Sequence, residues 1–276
     1  MPELPEVETI CRGIRPHINN REIIAISHSG KDLRQPLPIT EMRLHMIGAR
    51  VSSVTRRAKF LMVEMDNGTI LIIHLGMTGN LGIFSPETPP AKHCHVQFLL
   101  DNGMELRYTD VRRFGSMNLV TAREVPMLEE TFFRTSGPEP FSDAFNAKYL
   151  YDLSRSRSIP VKTFLMTNQV VVGVGNIYAN ESLFEAGIRP NRITSTIPRK
   201  KWTVIVEKIQ TVLQHAIECG GSTISDYVNA DQSSGYFQIN FQVYGRANQP
   251  CRRCEGTITK SVIGGRASYY CPDCQH

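Results

Sequence analysis

The chain opens MPELPEVE, with a proline directly behind the initiator methionine and an acid directly behind the proline. Removal of Met1, usual before a small residue, leaves the secondary amine of Pro2 as the amino terminus, beside the carboxylate of Glu3. A terminal amine titrates at about 7.7 to 8.0, so part of it is uncharged and nucleophilic at neutral pH. Attack of a secondary amine on an electrophilic carbon gives a cationic iminium, which is an electron sink. Glu6 and Glu8 have an ordinary explanation as acids that favour the positive end of a helix. For Pro2 taken alone, a merely tolerated residue is the simpler reading.

A second group with chemical capacity closes the chain. Four of the seven cysteines lie in the last 26 residues as Cys251-x2-Cys254 and Cys271-x2-Cys274, with sixteen residues between the pairs. Each CxxC turn presents two thiolates, and two such turns make the tetrahedron of a zinc ribbon. Two disulfides are the alternative. Three further cysteines, Cys11, Cys94 and Cys219, in a chain expected to be reduced and cytoplasmic argue against it. No histidine or carboxylate stands as a fifth ligand, so the expected site is closed and structural, holding one Zn2+ with no open position for an activated water.

The elements that carry these groups are legible in outline. The first helix shows Val7, Ile10, Ile14 and Ile18 at helical spacing. From there to about residue 122 the chain reads as strands, and KFLMVEMDNGTILIIHLG and HVQFLLDNGMELRYTD both bend at Asn-Gly, a strong hairpin signal. Pro138 and Pro140 mark a linker, with Ser142 or Asp143 as the expected N-cap of the helix that follows. PRKKWTVIVEKIQTVLQHAIECGG is the clearest helix, with Pro198 near its first turn, a stripe of Trp202, Ile205, Ile209, Val212, Leu213 and Ala216, and Gly220 to end it. The 276 residues allow an ample core, and no apolar run approaches the ~20 residues of a membrane helix. The acidic start excludes a signal peptide, so a cytoplasmic chain is expected. A formal charge of +5 permits a polyanionic partner without demanding one.

PELPEVE at the start, GVGNIYANESLFEAGIRP in the middle, VYGR before the cysteines and the terminal CRRC…CPDC ribbon together resemble the formamidopyrimidine-DNA glycosylase family, in order and over essentially the whole chain. The resemblance implies an α+β multidomain fold. An antiparallel β-sandwich catalytic domain is expected over 1–135, a linker over 136–150, a helical helix–two-turn–helix domain with a lesion lid over 151–245, and a β-hairpin zinc finger over 246–276. In that family the two main domains clamp duplex DNA. The implied activity is bifunctional: a monomer excises oxidised purines, chiefly 8-oxoguanine and formamidopyrimidines, and cleaves the strand at the abasic site by β,δ-elimination.

The resemblance also assigns residues. Pro2 is the expected nucleophile on C1′ of the damaged nucleoside, giving a Schiff base, and Glu3 the proton shuttle to the opening sugar. Lys59 corresponds to a lysine that assists proton transfer in β-elimination. Arg266 corresponds to an arginine associated with δ-elimination. Because a guanidinium stays charged near neutrality, Arg266 suits phosphate clamping better than proton donation. Extruding a base costs a few kcal/mol and leaves a hole. HLGMTG and DVRRFGSM resemble the insertion loops that fill it, with Met77 as apolar filler, Arg112 facing the orphaned base and Phe114 as wedge. Asn176, in GVGNIY near a helix N-terminus, is an expected phosphate ligand. His93, Arg157 and Tyr244 are expected DNA contacts. His74 reads as a satisfied strand residue. In GGSTISDYVNADQSSGYFQ, which matches the family's lid, Ser225 stands where a lysine or arginine is often found, which bears on lesion preference.

Two other functions fit parts of the sequence. An endonuclease VIII type enzyme acting on oxidised pyrimidines is opposed by the PELPEV start and by the full set Met77, Arg112 and Phe114. A non-catalytic zinc-ribbon DNA-binding protein explains the cysteines and leaves Pro2-Glu3 idle.

Overall fold

Val7, Ile10, Ile14 and Ile18 fall on one buried face of α1 (Leu4–Ile18) in the computed structural model, which describes residues 2–222 and 241–276. These residues form two compact units, one of 2–134 with 219–222 and the other of 135–218 with 241–276.

The first unit is built on two four-stranded antiparallel sheets. One has the order β1 (Ile23–His28), β6 (Cys94–Leu100), β7 (Glu105–Asp110), β5 (Gly79–Phe84). The other has β2 (Val51–Arg57), β3 (Phe60–Met65), β4 (Ile70–His74), β8 (Ser116–Val120). The inner face of α1 shares one core with Val54, Leu61, Val63, Leu71 and Ile73 of one sheet and Leu81, Val96, Phe98, Leu106 and Tyr108 of the other. A short helix, α2 (Ile39–Met46), interrupts the region read as strands and adds Met42 and Met46 to that core. Strand β4 is buried on both faces, as its unbroken run ILII suggests. Its outer residues Ile70 and Ile72 are covered by Leu128, of α3 (Leu128–Thr131), and Phe133.

Both Asn-Gly hairpins form, with a longer loop than a two-residue turn. Met65 donates its N–H to the Thr69 carbonyl and Leu100 to the Met104 carbonyl, which leaves three residues in each loop. Gly68 and Gly103 alone are left-handed, with φ of 79° and 78°. Each asparagine side chain instead accepts an N–H two residues on, from Thr69 and Met104, at 3.0 and 3.1 Å. This is a type I turn closed by a glycine bulge.

The second unit contains α4 (Ala147–Ser154), α5 (Val161–Leu165), α6 (Asn176–Glu185), α7 (Arg199–Glu218) and the hairpin β9 (Thr259–Ile263) and β10 (Arg266–Tyr270). The N-cap of α4 is Asn146, whose side chain accepts the Tyr149 N–H at 3.0 Å, and not Ser142 or Asp143. Ser142 turns its hydroxyl to the Glu139 carbonyl, stabilising the linker turn. Helix α7 buries the expected stripe, joined by Ile217, and packs on α4 and α6. Among the described residues no helix is long and apolar enough to cross a membrane.

Trp202 is fully buried, edge-on to Phe164, yet its indole N–H has no hydrogen-bond partner among the described residues. Trp202→Ala is expected to cost about 3–5 kcal/mol through the cavity it leaves. Trp202→Phe loses volume but also removes a buried unpaired donor, so its cost should stay below about 1.5 kcal/mol. Because this is the single tryptophan, urea unfolding followed by far-ultraviolet circular dichroism is the measurement.

Candidate functional site

Pro2 and Glu3 are both buried, and Glu3 is the N-cap of α1. Its carboxylate accepts the Glu6 N–H while the Glu6 carboxylate accepts the Glu3 N–H at 2.8 Å. This reciprocal box occupies two of the N–H groups that a helix start leaves open, and so fixes the peptide that leads back to Pro2. The other oxygen of Glu6 accepts the Ser222 N–H at 2.9 Å and its hydroxyl at 2.7 Å. Glu6 therefore joins the amino terminus to Ser222, the third residue of the expected lid segment. The segment from residue 223, with Ser225, lies outside the described residues.

Lys59 is half-buried in the turn between β2 and β3, where Ala58 is left-handed at φ 55°. The next residue, Phe60, pairs with His74 across the sheet, and the two rings lie 5.0 Å apart. Nδ1 of His74 accepts the Gly76 N–H at 3.1 Å, so the proton of the neutral ring sits on Nε2. Burial, then the charges of Lys59 and Arg34, lower its pKa to about 4.

The two loops that resemble insertion loops converge, and a residue that the sequence did not single out brings them together. Asp110 is fully buried at the end of β7. One of its oxygens accepts from the Thr78 hydroxyl and the Arg112 N–H; the other accepts from the Gly115 N–H at 2.8 Å and the Tyr108 hydroxyl at 3.2 Å. Burial, with Asp110 beside it, pushes the Tyr108 phenol far up, which keeps it a donor. Close approach makes two glycines necessary: a Cβ on Gly115 would lie 1.8 Å from the Tyr108 hydroxyl, and one on Gly76 2.4 Å from the Phe114 carbonyl carbon. Met77 and Phe114 are left 39% and 44% exposed. The Arg112 guanidinium lies over the Phe114 ring, 4.5 Å from its centroid. Arg34, His74, Gly76, Met77 and Phe114 line a cleft of about 430 Å³. His93 is half-buried just before β6, and its carbonyl accepts the Asp110 N–H at 3.0 Å.

In the second unit, Asn176 is the first residue of α6, and its side-chain oxygen is buried with no partner among the described residues. The Asn176 carbonyl accepts from the Asn180 side chain at 2.6 Å, and the Asn180 oxygen accepts the Tyr269 N–H at 2.8 Å. Lys162, also fully buried, donates to the Ala267 carbonyl at 2.8 Å and the Ser268 hydroxyl at 2.6 Å. These bonds tie β10 to α5 and α6 and leave Arg266, the first residue of β10, exposed. Glu181 on α6 accepts the N–H groups of Gln242, Val243 and Tyr244 at 2.8, 3.0 and 2.8 Å. Tyr244 is further held edge-on to Phe241 and Tyr269. Asn176, Tyr244 and Arg266 are thus arranged around α6, whereas the exposed Arg157 stands on a separate turn after α4.

The cysteine sulfurs of Cys251, Cys254, Cys271 and Cys274 all lie within 4.8 Å of one another, with Cys251 and Cys274 3.9 Å apart and Cys254 and Cys271 3.5 Å apart. A tetrahedron with Zn–S of about 2.3 Å has edges of about 3.8 Å, so the four donors fit one zinc ion. All four are free thiols, which removes the disulfide alternative. Burial and the neighbouring sulfurs push the Cys274 thiol well up, so a fourth thiolate here requires a cation. Gln275, fully buried, locks the second knuckle by accepting the Cys271 N–H and donating to the Ile188 carbonyl.

Sequence reasoning missed Asp110, Glu181 and Lys162, and gave Glu6 and His74 too small a part. Only the spacing of Glu3 and Glu6, the three-residue spacing of a capping box, could have pointed to one of them.

Three family profiles match consecutive stretches of the chain: the formamidopyrimidine-DNA glycosylase N-terminal domain over residues 1–117, the H2TH domain of the same enzymes over 136–228, and the zinc finger found in FPG and IleRS over 248–276. The formamidopyrimidine-DNA glycosylase of Hahella chejuensis is 46% identical over 275 residues, covering 100% of both chains. A Lactococcus lactis FPG mutant, solved in complex with Fapy-dG containing DNA, superposes with a TM-score of 0.91 at 32% identity over 100% of both chains. The wild-type Lactococcus lactis FPG with an oxidised pyrimidine containing DNA gives a TM-score of 0.90 at 32% identity, again over 100% of both.

Two outcomes follow from this geometry. Cys271→Ala should lose its metal, disorder the β9–β10 hairpin and weaken DNA binding, because the four thiolates and the hairpin form one folding unit; metal content and binding isotherms measured on the same preparation check this. His74 has a folded pKa near 4 against 6.5 unfolded, so its contribution is complete above pH 6.5 and is lost as pH falls toward 4. Between pH 7 and pH 5 the parent should therefore lose about 2 kcal/mol of unfolding free energy that a His74→Phe variant keeps, read from denaturant titrations at the two pH values.

Proposed function

The chain belongs to the formamidopyrimidine-DNA glycosylase family, and from that premise we propose that it excises oxidised purines from duplex DNA through a Schiff base on Pro2, then nicks the abasic site by β,δ-elimination. It is a DNA repair glycosylase with abasic-site lyase activity and a zinc finger. The substrates we assign are 8-oxoguanine and formamidopyrimidines.

In this reading Met1 is removed and the Pro2 nitrogen attacks C1′ of the extruded nucleoside. The bond from C1′ to the base breaks, and the base leaves with the electron pair and takes up a proton. Glu3, held by its cap on α1, delivers a proton to O4′ as the sugar ring opens, and the nitrogen lone pair forms the iminium at C1′. The iminium acidifies C2′, so loss of a C2′ proton expels the 3′ phosphate. Loss of the C4′ proton then expels the 5′ phosphate. Lys59 assists the first of these proton transfers, and Arg266 holds a phosphate by charge and a fork of N–H donors. Cys251, Cys254, Cys271 and Cys274 would hold the zinc ion, which when bound would brace the hairpin that carries Arg266.

Met77 and Phe114 fill the space left by the base, and Arg112 offers donors to the acceptors of an orphaned cytosine, which adenine's amino group would oppose. Asn176, His93, Arg157 and Tyr244 take the phosphate backbone, and the Nε2 donor of His74 suits the same task. We place the enzyme in the cytoplasm, with its DNA, and as a monomer, since one chain supplies each group the chemistry uses.

The observation that carries this reading is the position of Pro2 and Glu3 at a buried helix cap, in a chain that superposes end to end on an FPG bound to Fapy-dG containing DNA. The complex of the Lactococcus lactis protein with an oxidised pyrimidine favours a second reading, in which pyrimidine lesions are also accepted. Borohydride trapping on duplexes bearing 8-oxoguanine, thymine glycol or no lesion distinguishes them. Trapping on 8-oxoguanine that exceeds trapping on thymine glycol supports the purine reading, and equal trapping supports the broader one. A protein with one extra residue before Pro2, confirmed by mass, should trap on none. Full trapping by that protein would remove Pro2 from the mechanism.

A further inference from the structure

Glu8 has only the general role of a helix-start acid in the sequence, but its side chain does something more specific. Helix α1 presents Glu8, Arg12 and Arg15 toward β2. The Arg15 Nε donates to the Val54 carbonyl at 2.9 Å, and one Glu8 oxygen accepts from Arg12 at 2.8 Å. The other Glu8 oxygen accepts from Arg56 Nε at 3.1 Å, in a pair whose side chains are 16% and 10% exposed. Burial alone would raise the Glu8 carboxyl, but Arg12 and Arg56 together hold it below the usual range, so it is ionised and paired.

Arg56 has a further bond. Its terminal N–H donates at 2.8 Å to the carbonyl of Ala58. Ala58 and Lys59 are the two residues between the paired Arg57 and Phe60, and Ala58 is buried with φ 55°. An L-residue in the left-handed region costs about 1–2 kcal/mol, so the turn is held there by its surroundings. The Arg56 bond fixes the plane of the peptide joining Ala58 to Lys59, and with it the direction in which the Lys59 side chain leaves the backbone. Glu8 stands on the helix that Glu3 caps, about 7.5 Å further along its axis. A continuous series of contacts therefore runs from the cap at Glu3, along α1 to Glu8, through Arg56 to the Ala58 carbonyl and Lys59.

We propose that Glu8 and Arg56 are positioning residues for Lys59: they lock the strained Ala58 turn to the helix that carries Pro2 and Glu3, so that amine and lysine keep one relative placement. This rests on the role given to Lys59 above. The test is single-turnover strand cleavage at a preformed abasic site, at saturating DNA, for the parent, Arg56→Met, Glu8→Gln, Lys59→Met and the double variant Arg56→Met with Lys59→Met. Arg56→Met should slow cleavage by about 10- to 100-fold, since misplacement on the scale of an ångström has that effect. Glu8→Gln is nearly isosteric, keeps the Arg56 charge and should show a smaller loss of the same kind, which serves if Arg56→Met fails to fold. In the Lys59→Met background, Arg56→Met should add less than about twofold, because nothing is left to position.

Losses that multiply in the double variant would overturn the proposal and leave Arg56 a general structural residue. So would undiminished cleavage by a folded Arg56→Met protein, with the role of Lys59 intact if Lys59→Met is slow. Undiminished cleavage by Lys59→Met would overturn the role of Lys59 and the proposal together.

Discussion

Irregular backbone at a working site has no ladder to occupy its N–H groups, and this protein meets that constraint with buried carboxylates. Glu6 takes the N–H groups of Glu3 and Ser222, Asp110 those of Arg112 and Gly115, and Glu181 those of Gln242, Val243 and Tyr244. Each acid is at most 2% exposed. Burial raises the Glu181 carboxyl and the three N–H groups it accepts pull it back down, and a buried acid without such partners would be heavily unfavourable. The arrangement is therefore all or nothing: the acids tolerate burial only if the loops adopt these conformations, and the loops hold them only if the acids are in place. The groups to which we assign roles in the proposed chemistry, Pro2 and Glu3, Met77, Arg112 and Phe114, and Tyr244, are attached to these three anchors.

The regular elements do a different job. They set where each anchor stands and contribute little to the site directly. Helix α1 is sunk in the core of the first unit along Val7, Ile10, Ile14 and Ile18, which makes its first turn a fixed point. Asp110 ends β7, and the loop carrying Met77 joins β4 to β5, so the two sheets deliver their loops to one carboxylate. In the second unit α6 is buried over nearly its whole length, and its side chains reach both the Gln242–Tyr244 segment and β10.

What the sequence made legible follows from range. Local signals carried the first helix, both hairpins, α7 and the zinc ligands, because periodicity, Asn-Gly and CxxC spacing each act within a few residues. The hairpin loops came out one residue longer than a primed turn, since Asn67 and Asn102 satisfy a neighbouring N–H with their side chains and stay right-handed. The α4 cap was misplaced by three residues or more because Ser142, Asp143 and Asn146 are all chemically able to cap, and only the path of the linker decides. Two of the anchors make bonds that were illegible for a physical reason. Glu6 meets Ser222 across 216 positions and Glu181 meets Val243 across 62, and no local pattern reports such a meeting. Resemblance to a family supplied the residues proposed to touch substrate and passed over those that hold them.

The exposure of Met77 and Phe114 becomes intelligible in the same terms. Large apolar side chains left 39% and 44% open to solvent forgo the stabilisation that burial would give each of them, about 1.5–3 kcal/mol for full burial. A flexible loop would fold them inward. Here it is prevented: the Gly115 backbone is tied to Asp110 and packed against the Tyr108 hydroxyl, and Gly76 lies against the Phe114 backbone with no room for a side chain. The stacked Arg112 covers part of the Phe114 face at 4.5 Å and keeps its own charge in contact with solvent. For the proposed wedge, this arrangement is thus in place before any duplex arrives. On that proposal association need not supply the conformational entropy of shaping it, and the free energy gained when the two side chains leave water can go toward unstacking DNA.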